Sequence, residues 1–223
     1  MKTRKIRVGS IFVGGDAPVS IQTMWKRPLD RVSEDLIAEI NGLAALGCDI
    51  LRFAVPDDAS ALVLGELTGR VGIPLVADIQ FDYKLALRCL DFLIAKIRIN
   101  PGNLGGPDKL ARVVDAAKMH RVPIRVGVNS GSIEKGLLQQ YGYPTPERPD
   151  ALIASALNNV RLLETQGFDA IKISIKSSDT LTTIAGYRQL AEQTDYPLHL
   201  GVTEAGGLIP GTVKSSVALG ILL

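Results

Sequence analysis

Short runs of branched apolar residues alternate along this chain with segments of helical period, and that alternation restricts its fold more than anything else. The runs are VSIQTM from Val19, DILRFAV from Asp49, IPLVADI from Ile73, LIAKIRI from Leu93, VPIRVGV from Val122, DAIKISI from Asp169 and YPLHLGVT from Tyr196. Between them lie amphipathic segments such as SEDLIAEINGLAALG, where Ser33 is placed to cap a helix and Gly47 to end it. PDKLARVVDAAKMH from Pro107 and PDALIASALNNVRLLETQG from Pro149 follow the same grammar. Strands that each return through a helix pair in parallel, and seven of them fit a (β/α)8 barrel better than an open sheet. No glycine-rich dinucleotide fingerprint follows the first strand, which argues against a Rossmann fold.

Strand parity then exposes an unusual face. In AKIRIN, Lys96, Arg98 and Asn100 stand two residues apart and share one side, while Leu93, Ala95, Ile97 and Ile99 take the other. Arg52 recurs in DILRFAV, Asp78 and Gln80 share a face, and Arg125, Gly127 and Asn129 share another. Lys172, Ser174 and Lys176 repeat the pattern, and His199 leads through Gly201 and Thr203 to Glu204. An ordinary barrel interior is filled with Val, Ile and Leu. Cations gathered at the C-terminal rim suit an anion with many oxygens, and the turns NPGNLGG and NSGS add backbone donors. Carboxylates at the strand ends are few: Asp57, Asp78, Asp82, Asp179 and Glu204. Lys96 lies deeper and is placed to pair with Asp78.

Composition narrows the setting. With 223 residues, 46% of them hydrophobic, the chain can bury a substantial core. A net charge of +2 gives no footing for a nucleic-acid or membrane partner, and no apolar run has the length of a signal or a membrane span. Cys48 and Cys89 have no pairing motif, read as buried thiols of a reducing, cytoplasmic protein, and are too few for a metal cluster. Residues 1–18, RKIRVGSIFVGGDAP among them, are expected to form a hairpin turned by Gly14-Gly15-Asp16 that closes the barrel floor. Residues 19–223 form an incomplete barrel on this reading. TVKSSVALGILL is the helix after strand seven, and the eighth strand is missing.

The motifs GGDAP, RFAVPD, VADIQFDYKLAL, KIRINPGN, IRVGVNSGSIEK, TDYPLHLGVTEAG and GTVKSS are similar to those of the 4-hydroxy-3-methylbut-2-en-1-yl diphosphate synthase family, which depends on flavodoxin or ferredoxin. The resemblance runs from about Ile6 to the last residue. It implies an oxidoreductase of the non-mevalonate isoprenoid pathway that reductively opens and dehydrates 2-C-methyl-D-erythritol 2,4-cyclodiphosphate to 4-hydroxy-3-methylbut-2-enyl diphosphate. In that family the barrel holds the cyclic diphosphate, a separate C-terminal domain holds a [4Fe–4S] cluster, and two subunits form a homodimer. The same resemblance implies that Arg52, Arg98, Arg125 and Lys176 bind the diphosphate, with Asn100, Asn129 and Asp78 around them and Glu204 as proton donor. It also implies that this chain alone, without a metal site of its own, is inactive. Two departures stand out. Gln80 replaces the family's usual His, and MWKRPLD replaces a Thr- and Asn-rich stretch, so that Trp25 reads as a wall, a lid or a surface aromatic. Two other readings of the same residues are a pterin-binding type of barrel enzyme and a non-catalytic truncated barrel that serves as an interaction module.

Overall fold

The structure, a computed structural model, describes residues 3–92 and 94–223. Positions 1 and 2, and Leu93 of the expected apolar face, lie outside them. A short hairpin comes first, with β1 at Ile6–Val8 and β2 at Ile11–Val13. Six parallel strands follow: β3 (Gln22–Met24), β4 (Ile50–Ala54), β5 (Leu75–Asp78), β6 (Lys96–Ile99), β7 (Ile124–Asn129) and β8 (Ile171–Lys176). They pair strictly in chain order and curl into a half-barrel. The helices between and after them are α1 (Glu34–Ala45), α2 (Asp58–Thr68), α3 (Tyr83–Leu90), α4 (Pro107–His120), α5 (Lys135–Tyr141), α6 (Asp150–Glu164), α7 (Thr180–Gln193) and α8 (Leu208–Leu222). Among the described residues no helix is long and apolar enough to cross a membrane.

Local chemistry sets the helix starts. Ser33 Oγ accepts from Leu36 N at 3.2 Å and so caps α1, as its position in the sequence predicts. Three of the strand-end carboxylates do the same work: Asp57 caps α2 through Ser60 N, Asp82 caps α3 through Lys84 N, and Asp179 caps α7 through Thr182 N. Asp57 is held below its ordinary value chiefly by the Ser60 N–H, and Asp179 first by the Thr182 hydroxyl and then by the Thr182 N–H. An acid bound to backbone N–H groups at a helix start is poorly placed to neutralise a distant cation.

The two faces of the sheet separate by chemistry. On the helix side Leu51, Phe53, Ala77, Ile97, Ile99, Val126, Val128, Ile173 and Ile175 are buried in one cluster against the helices. Each Val, Leu, Ile or Phe among them stabilises the fold by about 1.5–3 kcal/mol when buried fully. The hairpin forms a second, smaller cluster in which Ile6, Val8 and Val13 pack on Ile50, Val76 and Ala95 at the N-terminal ends of β4, β5 and β6.

Two details differ from the sequence expectation. The hairpin turns at Gly9-Ser10, not at Gly14-Gly15-Asp16, because Val8 pairs with Ile11 and leaves a two-residue loop. Gly9 has φ +59° there, which only glycine adopts freely, and a side chain would strike Ala95. The run YPLHLGVT is also not a full strand. It makes one bridge, Leu198 to Ile173, and its backbone–backbone bonds among the described residues run to β8 and the residue after it: Ile173 N to Pro197 O, His199 N to Ile173 O and Thr203 N to Ser177 O. Pro197 has no N–H to give, and on its other side a 360 Å³ cleft separates it from the end of the sheet at Gln22.

The segment is held to β8 by a residue the strand pattern does not show. Tyr187 of α7 is buried, donates its hydroxyl to His199 O, and accepts from Ile175 N at 3.2 Å. Tyr187→Phe leaves both backbone groups without that partner. It should cost about 1–3 kcal/mol, read as a lower urea midpoint at unchanged m-value.

Candidate functional site

Register places the charged residues of neighbouring strands side by side. One row across the sheet runs Met24, Arg52, Val76, Lys96. The next runs Ala54, Asp78, Arg98, Arg125, Lys172. Towards the C-terminal rim Gly127 pairs with Ser174, and Asn129 with Lys176. Because paired residues share a face, all of these project into the barrel interior. Six cations thus share that interior with one carboxylate of the sheet, Asp78.

Asp78 is 6% exposed and sits between two arginines. Its carboxylate accepts from Arg98 Nη1 at 3.0 Å and lies 3.5 Å from Arg52 Nε. Lys96 does not reach it. The Lys96 ammonium, fully buried, donates instead to Gln22 Oε1 at 3.0 Å, so the expected Lys96–Asp78 pair is replaced by an amide contact. Lys96 belongs to the row of Arg52, one level below Asp78 and Arg98, which explains the miss. Arg98 continues across β7, where Nη2 donates to Gly127 O at 3.2 Å. A side chain at position 127 would stand 2.6 Å from Arg98 Nε, so glycine is what lets the guanidinium lie over the strand. Arg125 donates to Ser174 Oγ.

The remaining polar atoms are unusually free. Arg52 Nε, Arg98 Nε, Arg125 Nε and Asn100 Oδ1 are buried with no hydrogen-bond partner among the described residues. Buried polar groups without partners are expensive: the three Nε–H groups lack acceptors, and the Asn100 amide oxygen lacks a donor. The crowding also moves protonation. Burial first, then Arg125, Arg52 and Arg98, draw the Lys176 ammonium down to about 7. Burial and Arg125 draw Lys172 to about 8, and burial with Arg52 and Arg98 draws Arg125 to about 9. Lys96 falls well below its ordinary value, mainly through burial. His199 is likewise held neutral, by burial and by Arg125, Lys176, Lys172 and Lys96.

The structure therefore brings Arg52, Asp78, Arg98, Arg125 and Lys176 together, with Asn100 at the end of β6 and Asn129 at the end of β7. Glu204 stands at the same rim but exposed, in the left-handed region at φ +49°, and it makes no ion pair among the described residues. Gln80 is exposed beyond β5, at a 280 Å³ cleft that also involves Asp78. Trp25 is neither lid nor surface aromatic: it is buried 5.9 Å from the Phe53 ring, with Arg27 over its face. The two cysteines offer no cluster site. Cys48 Sγ donates to Ile50 O, and burial pushes the Cys89 thiol up to about 12. No three His, Cys, Asp or Glu side chains converge among the described residues.

Fold and site together define a TIM-type α/β barrel with a cation-lined interior. A family model described as "GcpE TIM-barrel domain" matches residues 3–223, and the chain belongs to that family. It is 61% identical over 224 residues to a Desulfotalea psychrophila protein named "4-hydroxy-3-methylbut-2-en-1-yl diphosphate synthase (flavodoxin)", covering 99% of this chain and 60% of that protein. A Geobacter sulfurreducens protein of the same name is 54% identical over 100% of this chain and 62% of its own length. The chain thus spans about three-fifths of these curated relatives. Among solved structures, Yersinia pestis dihydropteroate synthase superposes with a TM-score of 0.64 at 11% identity, over 97% of this chain and 86% of that one. Geobacillus kaustophilus 3-dehydroquinate dehydratase gives 0.61 at 17%, over 98% and 84%. Both likenesses concern the fold alone.

The lysines make stability depend on pH. Folded Lys176 and Lys172 lose their protons near 7 and 8, whereas an unfolded lysine keeps its proton to about 10.5. Between those values the unfolded chain binds more protons, so stability rises with pH. Without added anion the melting temperature should increase from pH 6.5 to 8.5, below the range where Cys89 acts in the opposite sense. Lys176→Met should flatten that slope.

Proposed function

We propose that this chain is the substrate-binding barrel of an oxidoreductase that opens 2-C-methyl-D-erythritol 2,4-cyclodiphosphate and removes water from it, yielding 4-hydroxy-3-methylbut-2-enyl diphosphate for isoprenoid synthesis. The observation that carries this reading is the barrel interior itself, where the buried Nε–H groups of three arginines have no hydrogen-bond acceptor among the described residues and one carboxylate reaches two of six cations. A diphosphate supplies the acceptors these groups lack. The names carried by the curated relatives support the choice of diphosphate.

In this assignment Arg52, Arg98, Arg125 and Lys176 neutralise the phosphate oxygens, and Asn100 and Asn129 hydrogen-bond at the rim. Asp78 does not touch substrate oxygens. It holds Arg52 and Arg98 at a fixed separation, which spares the ligand the cost of ordering them. Ring opening converts a phosphodiester oxygen into a terminal phosphate that carries more charge. An interior with excess cation binds that product-like charge more strongly than it binds the cyclic ester, which is the sense in which such a site favours reaction. Glu204, exposed at the rim, is the proton donor for the departing hydroxyl.

The reduction requires two electrons, and this chain's residues do not fit a [4Fe–4S] cluster. We assign that cluster to the part of the relatives' length that the chain does not span, with flavodoxin or ferredoxin as donor and a homodimer as the working assembly. The printed word "flavodoxin" in the relatives' names supports the donor. Two free, buried thiols agree with a reducing, cytoplasmic setting.

Calorimetric titration of the chain with the cyclic diphosphate tests the reading. Binding is expected, with loss of at least about tenfold in affinity for Arg98→Ala, in line with losing a hydrogen-bonded charge. A folded chain that binds no diphosphate would overturn it, as would preference for a pterin over the cyclic diphosphate. After iron and sulfide reconstitution, the isolated chain should show no visible absorbance from a cluster.

A further inference from the structure

The apolar stripe of α6 contains one amide that its neighbours do not explain. Ala151, Leu152, Ala156, Val160 and Leu163 are buried on that face, and so is Asn159, at 1% exposure. Its side chain is used at both ends. Oδ1 accepts from Gly102 N at 2.9 Å, and Nδ2 donates to Glu134 Oε1 at 3.2 Å and to Ser155 O at 2.9 Å.

The two partners outside α6 belong to different rim loops. Gly102 lies in the single 3-10 turn Pro101–Asn103 that directly follows Asn100. Glu134 follows the second such turn, Ser130–Ser132, which Asn129 opens by donating its N–H to Ser132 Oγ at 3.0 Å. The fit at Gly102 is close: an added side chain there would meet Asn159 Oδ1 at 3.4 Å and Asn100 Oδ1 at 3.7 Å. The β6–β7 ladder does not hold these loops together. Its last pair is Ile99 with Val126, so Asn100 and Asn129 both lie beyond the paired register. Asn159 spans that gap with one acceptor and one donor. A leucine there would supply neither and an aspartate only the acceptor.

We propose that Asn159 is a positioning residue, which sets Asn100 and Asn129 at the separation required by a bound diphosphate. The role rests on the anion-site reading above and deepens it. Asn159 touches no substrate in this assignment and acts only through Gly102 and Glu134.

The test is calorimetric binding of the cyclic diphosphate, with inorganic pyrophosphate alongside, to the wild-type chain and to variants whose folding is checked by thermal melting. Asn159→Ala is expected to weaken binding about tenfold. In an Asn100→Ala background the same change should weaken it less than about twofold, because the two residues then act as one unit. Asn159→Asp sets a carboxylate against Glu134 and should weaken binding similarly. Adding Glu134→Gln returns an amide to the pair and should restore affinity to within about threefold of wild type, whether or not Asn159→Ala folds. Wild-type binding that Asn159→Asp leaves unchanged, or that Glu134→Gln fails to rescue, overturns the positioning role alone. So do Asn159→Ala and Asn100→Ala losses that multiply independently. Absence of binding to the folded wild type instead overturns the site reading, and the role of Asn159 with it.

Discussion

The carboxylate of Asp78 between Arg52 and Arg98 is the interaction on which the interior of this half-barrel depends. Desolvating a charge is costly, by several kcal/mol for each ion even after relaxation. The sheet nevertheless turns six cations inward, and Asp78 is the carboxylate within reach of two of them. Lys96 is accommodated by the Gln22 amide and by a shift towards its neutral form. Lys172 and Lys176 yield in the same way, at about 8 and 7. The interior is therefore an unfavourable charge distribution, which is the feature that the proposed diphosphate would relieve.

Such an interior is tolerable because stability resides elsewhere. The opposite face of the same strands is a dry layer of Ile, Val, Leu and Phe against the helices, and the β1–β2 hairpin covers the lower ends of β4, β5 and β6 with a second apolar cluster. Each strand thus joins a stabilising face to a functional one, with the period of two keeping them apart. Glycine enters where the functional face is crowded: Gly127 leaves room for Arg98 to cross β7, and Gly201 stands under the Lys176 ammonium, where a side chain would come within 3.0 Å.

Much of the candidate site was legible because strand parity is a local property. Arg52, Asp78, Arg98, Arg125 and Lys176 could each be put on one face by counting twos, and the helix stripes supplied the parallel order. What counting could not supply was pairing. Lys96 shares a face with Arg98, so it read as a partner for Asp78, but register puts it one row lower, against Gln22. Asp57, Asp82 and Asp179 read as possible counter-charges and are held as helix caps. The run from Tyr196 has strand composition, yet with a sheet neighbour on the β8 side alone it makes a single bridge. Tyr187 and Asn159 left a weak trace at most, a polar group within an apolar helical stripe. The partners that matter lie on other segments, 12 residues away for Tyr187 and 25 and 57 for Asn159.

By itself the sequence determined the alternation of elements, the separation of each strand into an apolar and a charged face, and the motifs that place the chain in its family. These follow from periodicity and from residue type, which act over a few neighbours. The tertiary structure alone decided which cation meets Asp78, which acids are consumed as caps, where the hairpin turns, and which amide ties the rim loops together. Those are matters of register and of contacts across long loops. They depend on where distant segments come to rest against each other, and no local pattern in the chain encodes that.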